Sequence, residues 1–145
     1  ATDDMGDVAR LVSIEAWTDD GQRGTELAVQ SCKTTVHLRV KFASNPAFPA
    51  PAVAFGLVHL SGVVLSSGLS SLGGGALQRD VSGMGEGCLT LPTLPLFQGS
   101  YFVRLFLMCE RGLHIYEHVD SAVTLHVTQS GPEQGLMAVP HFWQS

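Results

Sequence analysis

Residues 93–107 read TLPLFQGSYFVRLFL. Pro95 and Gly99 make a turn, and the chain then runs from Ser100 to Met108 with Arg104 as its single charge. The stretch is the right length for one strand and far short of the ~20 apolar residues that span a bilayer. Apolar residues at successive positions predict a strand covered on both faces inside a β-sandwich. A charge in its middle needs a partner. One candidate is an acid such as Glu110 or Glu117. The other is a ligand. Period two puts Phe102, Arg104 and Phe106 on one face. Rings that stack on sugar faces, with a guanidinium that donates to hydroxyls, carboxylate or phosphate, make a carbohydrate-binding surface.

Short β-rich runs separated by turn signals extend on either side. Expected strands cover 8–17, 26–29, 34–42, 52–60, 63–65, 89–91, 101–110, 113–117, 122–128 and 136–142. Residues 34–42 alternate cleanly: Val36, Leu38, Val40 and Phe42 on one face, His37, Arg39 and Lys41 on the other. Thr18-Asp19-Asp20-Gly21, Ser61-Gly62 and Arg111-Gly112 read as turns. Gly56, inside a strand, marks a bulge or close backbone approach. Residues 66–75 read as a mobile serine- and glycine-rich loop, and no run carries helical spacing with caps. About eight to ten strands with turns every ~8–12 residues predict an all-β, antiparallel two-sheet sandwich.

Bulk properties narrow the function. The 145 residues suit one domain, 1–145. Only 14% are charged and 45% are hydrophobic, which fits a surface partly covered by another chain or by a second copy. A net charge of −5 opposes nucleic-acid binding, which requires a basic stripe. Cys32, Cys88 and Cys109 form no disulfide pattern and read as buried, reduced thiols. Gly73-Gly74-Gly75 lacks the lysine of a phosphate loop, and neither a G-x-S-x-G elbow nor an H-E-x-x-H motif occurs. His114 and His118 are four apart, which on a strand separates them too widely to share a metal. No enzyme, cofactor or metal is expected. His59, His114 and Tyr116, amphipathic and near strand ends, complete the candidate sugar contacts with His37, Arg39, Lys41, Phe102, Arg104 and Phe106.

Two stretches resemble a known family. Leu94-Pro95-Leu96-Phe97-Gln98-Gly99-Ser100-Tyr101 is similar to an "LPLLPG-x-Y" lead-in to a core strand. Gly135-Leu136-Met137-Ala138-Val139-Pro140-His141-Phe142-Trp143 resembles the "G-V-V-x-L-P-H-x-W" ending of the C-terminal domain of Wzt, the ATP-binding subunit of ABC transporters that export O-antigen polysaccharide. Phe142 stands where that pattern usually has a basic residue. The resemblance implies an immunoglobulin-like or jelly-roll sandwich. It implies a cytoplasmic, non-catalytic module of a longer transporter subunit, which binds the capped non-reducing end of the glycan. It also implies a homodimer formed by exchange of the C-terminal strand, and a membrane-embedded transporter partner. A short hinge at 129–134, followed by apolar Met137, Val139, His141, Phe142 and Trp143, is a setting for such a swap.

Three rivals stay open. A dimerisation module without sugar binding predicts Arg39 and Arg104 paired with acids. A calcium-dependent binder predicts acids clustered around Asp3, Asp4, Asp19 and Asp20. A glycoside hydrolase needs two carboxylates facing each other roughly 5–10 Å apart, from Glu86, Glu110, Glu117 and Asp120.

Overall fold

A computed structural model describes residues 8–73 and 77–145. Eight strands follow one another: β1 (Ala9–Thr18), β2 (Glu26–Gln30), β3 (Val36–Ser44), β4 (Ala52–His59), β5 (Val64–Leu69), β6 (Met84–Leu91), β7 (Gly99–Met108) and β8 (Ile115–Thr128). They form a three-stranded sheet in the order β1-β3-β6 and a five-stranded sheet in the order β2-β8-β7-β4-β5. All pairings are antiparallel except β2 with β8.

Alternation builds the core. Val36, Leu38, Val40 and Phe42 of β3 are all but inaccessible, and they meet Tyr101, Val103, Leu105 and Leu107 of β7 and Val123, Leu125 and Val127 of β8. Each such side chain contributes about 1.5–3 kcal/mol when fully buried. Glycines set the closest approaches of β6. A Cβ on Gly85 would lie 2.5 Å from the Phe42 ring, and one on Gly83, at φ 96°, would run into the Ser44 carbonyl.

The expected turns form. Gly21, Gly62 and Gly112 all have positive φ, and their amides close the turns onto the carbonyls of Thr18, His59 and Cys109. Four expectations need correction. Residues 66–69 belong to β5, an edge strand whose small residues leave it largely exposed, and Ser70–Gly73 forms one helical turn, α1. Gly74 and Gly75 lie outside the described residues. The two runs at 113–117 and 122–128 are one long strand, interrupted by a bulge rather than a turn. The expected thiol burial holds for Cys109, whereas Cys32 and Cys88 are exposed. Residues 136–142 form no strand within this chain. They hold by a single bridge, Leu96 to Met137, and by the Tyr101 hydroxyl against the Leu136 carbonyl at 2.9 Å. Beyond it Val139, Phe142 and Trp143 are 70%, 81% and 90% exposed.

Candidate functional site

Residues on β7 that point away from the core make up the candidate site. Phe102, Arg104, Phe106 and Met108 alternate with the buried set and are half-buried on the outer face of the five-stranded sheet. On the β4 side their register partners are small: Val58, Gly56, Ala54 and Ala52. Gly56 faces Arg104, and even a Cβ there would only reach ordinary contact with the Arg104 Cβ, at 3.8 Å. On the β8 side the ladder breaks. Val103 pairs with Val123 and Leu105 with Val119, so Asp120, Ser121 and Ala122 stand opposite the single residue Arg104. Bulges of this kind recur beside functional sites, where they re-aim a side chain or interrupt pairing.

Arg104 therefore sits in a notch between a glycine and a bulge. Its guanidinium carbon lies 5.4 Å from the centre of the Phe102 ring. Its Nε is buried and has no hydrogen-bond partner among the described residues. Neither Glu110 nor Glu117 comes within ion-pair distance of it. Glu117 instead accepts the Leu11 amide at 2.5 Å. Asp120, on the bulge, pairs with His118 at 3.4 Å. His118 in turn stacks on Phe106 at 6.2 Å between ring centres. Farther along β8, His126 contacts Ser100 at 3.2 Å and Glu26 at 3.0 Å. The outer face thus carries two rings, two histidines and a guanidinium that no acid among the described residues pairs.

The other sequence candidates lie elsewhere. His37, Arg39 and Lys41 project from β3 on the opposite, three-stranded sheet, so they share no surface with Arg104. Arg39 is paired there: 3.7 Å to Glu15, 3.3 Å to Glu86, and 5.1 Å over the Trp17 ring. His37 stacks on Trp17 at 5.4 Å and bonds Thr90 at 3.1 Å. Lys41 stands in register with Glu86. His59 lies at an end of the sandwich, edge-on to Tyr101 at 5.2 Å and bonded to Ser61. His114 is exposed in the β7–β8 turn, where its carbonyl accepts the Cys109 amide. Tyr116 packs inward against Ala9, Phe42 and Leu107, and burial pushes its phenol above the usual range. His118, weighed in the sequence only as a metal ligand with His114, and His126, which no sequence signal singled out, both stand on this face. Their period-two position beside Phe106 and Ser100 emerges only once β8 is known to pair with β7.

The calcium arrangement does not assemble among the described residues. Asp19 accepts the Thr35 amide and Asp20 is held by Thr18 and Gln22, while Asp3 and Asp4 lie outside the described residues. No cluster of three metal-ligating side chains forms among the described residues. Glu86 is engaged by Arg39. An apolar cleft of about 220 Å³ between the β5 and β6 edges is lined by Val40, Val53, Phe55 and Leu89 and offers few polar groups for recognition.

Residues 8–139 match the family model of the Wzt C-terminal domain. The chain belongs to the Wzt C-terminal domain family. The crystal structure of a Wzt C-terminal domain superposes with a TM-score of 0.72 at 15% identity, over 94% of this chain and 83% of that one. A β-glucuronidase of Bifidobacterium dentium, solved with coumarin-3-O-glucuronide, matches at TM-score 0.50 and 12% identity, over 83% of this chain but only 18% of the enzyme. That second likeness concerns the sandwich fold alone. No curated protein matches the sequence. Membership in the Wzt C-terminal family supports, at a coarse level, a carbohydrate-binding role in O-antigen export. No described helix is long and apolar enough to cross a membrane.

Proposed function

We propose that this chain recognises the capped non-reducing end of an O-antigen polysaccharide and so couples completion of the glycan to its export by an ABC transporter. The outer face of the five-stranded sheet is the binding surface. Phe102 and Phe106 stack on the terminal sugars, and Arg104 donates to a cap that carries a carboxylate, a phosphate or a cluster of hydroxyls. The single observation that carries this reading is the Arg104 guanidinium, set in its notch with a buried Nε and no acidic partner among the described residues. A buried donor without a partner costs about 1–3 kcal/mol, a cost that a ligand acceptor removes. Recognition of one chain end needs few contacts, so affinity falls between micromolar and millimolar, about −8 to −4 kcal/mol.

In this reading the domain works in the cytoplasm, at the inner face of the membrane, as part of a longer transporter subunit. It acts as a homodimer in which residues 129–134 serve as hinge and Met137, Val139, His141, Phe142 and Trp143 pack on the partner copy. The exposed Phe142 and Trp143 support that arrangement. The alternative, a dimerisation module that binds no sugar, fits the same tail but leaves the Arg104 notch without a role.

The test is titration of the domain with the producing strain's lipid-free polysaccharide, intact and with its cap enzymatically removed, beside Arg104→Ala. Binding of the capped form alone, lost in the variant, supports the reading. Equal binding of both forms, or none at millimolar sugar, overturns it.

A further inference from the structure

The same outer face continues past Phe102 and Ser100 to the hinge. Gln30 and Thr128 close the parallel β2–β8 pair in register there, and both are exposed. Beside them opens a cavity of about 460 Å³, lined by Gln30, Lys33, Phe97, Thr128, Gln129 and Glu133. That volume falls in the range of ligand clefts, about 300–1,000 Å³. A second hollow of about 370 Å³ shares Phe97, Gln129 and Glu133, so the groove runs continuously around the Phe97 ring.

Its wall is built rather than loose. The Gln129 side-chain amide donates to the Gly131 carbonyl at 3.0 Å and the Glu133 carbonyl at 2.8 Å, and its oxygen accepts the Gln98 amide at 2.6 Å. This pins the hinge backbone against the lead-in to β7. By contrast, the Gln30 amide and the Lys33 ammonium have no protein partner among the described residues. The lining therefore offers one aromatic face, a free amide, a cation and a carboxylate. Such a balanced donor and acceptor set suits hydroxyls. It suits neither a bare anion nor an apolar molecule.

We infer that this groove is a second carbohydrate subsite, which takes neutral pyranose units of the glycan body while Arg104 takes its end. The inference rests on the carbohydrate reading above. From Arg104 to Gly99 is five residues of strand, so the two subsites lie roughly 17 Å apart along β7. A chain that reaches both must be several sugars long, and the second subsite therefore reads length where the first reads the cap.

The test uses two probes: the producing strain's lipid-free polysaccharide, and a fragment from it trimmed to the terminal repeat unit with its cap. Wild type is compared with Gln30→Ala/Lys33→Ala, both exposed positions, and with Phe97→Leu, which keeps apolar bulk and removes the ring. Loss of a hydrogen-bonding pair predicts about tenfold weaker binding of the long glycan by the double variant. Binding of the short capped fragment is expected to be unchanged. Amide shifts at residues 30–33 and 97–98 are expected with the long probe alone. Equal affinity of wild type and both variants for the long glycan overturns the second subsite and leaves the Arg104 reading standing. No binding of either probe by wild type overturns both.

Discussion

The two outer faces of the sandwich each present an arginine over an aromatic ring, and they use it in opposite ways. On the three-stranded sheet Arg39 lies over Trp17 and is held by Glu15 and Glu86, with Arg23 on the same indole at 5.5 Å and His37 stacked beside it. Arg39 and Arg23 each have a carboxylate within 4 Å there, so neither guanidinium is left as an open donor. On the five-stranded sheet Arg104 lies over Phe102, flanked by Gly56 and the β8 bulge, and has no acid in reach among the described residues. The same residue pair is a surface brace in one place and an open donor in the other. Neighbouring acids decide which, and an arginine on a strand is informative only once its cross-strand partners are known.

That contrast can be broken by swapping which arginine is removed. Arg104→Ala is expected to weaken capped-glycan binding about 10- to 100-fold, the loss of one charge-assisted hydrogen-bonding group, with little change in unfolding midpoint. Arg39→Ala is expected to leave binding unchanged and to lower stability by no more than about 1 kcal/mol, because its pairs are solvent-exposed. Calorimetric titration and urea unfolding of both variants check this, and a binding loss in Arg39→Ala would erase the distinction.

The rings sharpen it further. Trp17→Ala removes the platform for His37, Arg23 and Arg39 and is expected to cost about 2 kcal/mol of stability, below the 3–5 of a fully buried aromatic, without affecting binding. Phe106→Ala, whose half-buried ring stacks on His118, is expected to lower binding about fivefold at a stability cost of about 1 kcal/mol. Salt separates the faces more gently. Raising ionic strength from 0.05 to about 0.5 M is expected to weaken glycan binding if the cap is anionic, because screening reaches the half-exposed Arg104 site.

The smallest expected effect is a pH response at the start of β6. Hydrogen bonds from the Ser82 hydroxyl first, then from the Met84 and Ser82 amides, hold the Asp80 carboxyl below the usual carboxylate range. A carboxyl depressed in the folded state adds stability above its unfolded pKa, and that stability is lost as pH falls through the lower folded value. The unfolding midpoint of Asp80→Asn is therefore expected to drop less than that of wild type between pH 5 and pH 2, measured in urea. Glycan binding at neutral pH is expected to stay as it is.

Much of this molecule is legible in its sequence, for reasons that differ by element. β3 announces itself because its period of two is uninterrupted, and β7 because an apolar run of strand length follows a turn; strand geometry then puts Phe102, Arg104 and Phe106 on one face. The turns at Gly21, Gly62 and Gly112 are legible because only glycine takes their positive φ without strain. What alternation cannot carry is which sheet a strand joins. β3 pairs with β1 and β6, and β7 with β4 and β8, through contacts between residues far apart in sequence. His37, Arg39 and Lys41 therefore resemble neighbours of Arg104 until the pairing places them on the far side. The bulge at Asp120–Ala122 is likewise invisible locally: its polar residues read as a turn between two strands, and the ladder carries them through as one. The tail shows the opposite limit. Its apolar alternation reads as a strand, yet the contact is a single bridge around Met137, with the Leu136 carbonyl and the Ala138 amide bonded back to the lead-in of β7.

The most direct measurement is an amide-resolved NMR titration of the domain with capped, lipid-free polysaccharide. The account predicts shifts on the outer face of the five-stranded sheet, around residues 102–106 and 118–126, and in the adjoining groove at residues 30–33 and 97–98, with β1, β3 and β6 silent. Shifts centred instead on Trp17, His37 and Arg39 would contradict it, because the site would then lie around an arginine already paired with Glu15 and Glu86.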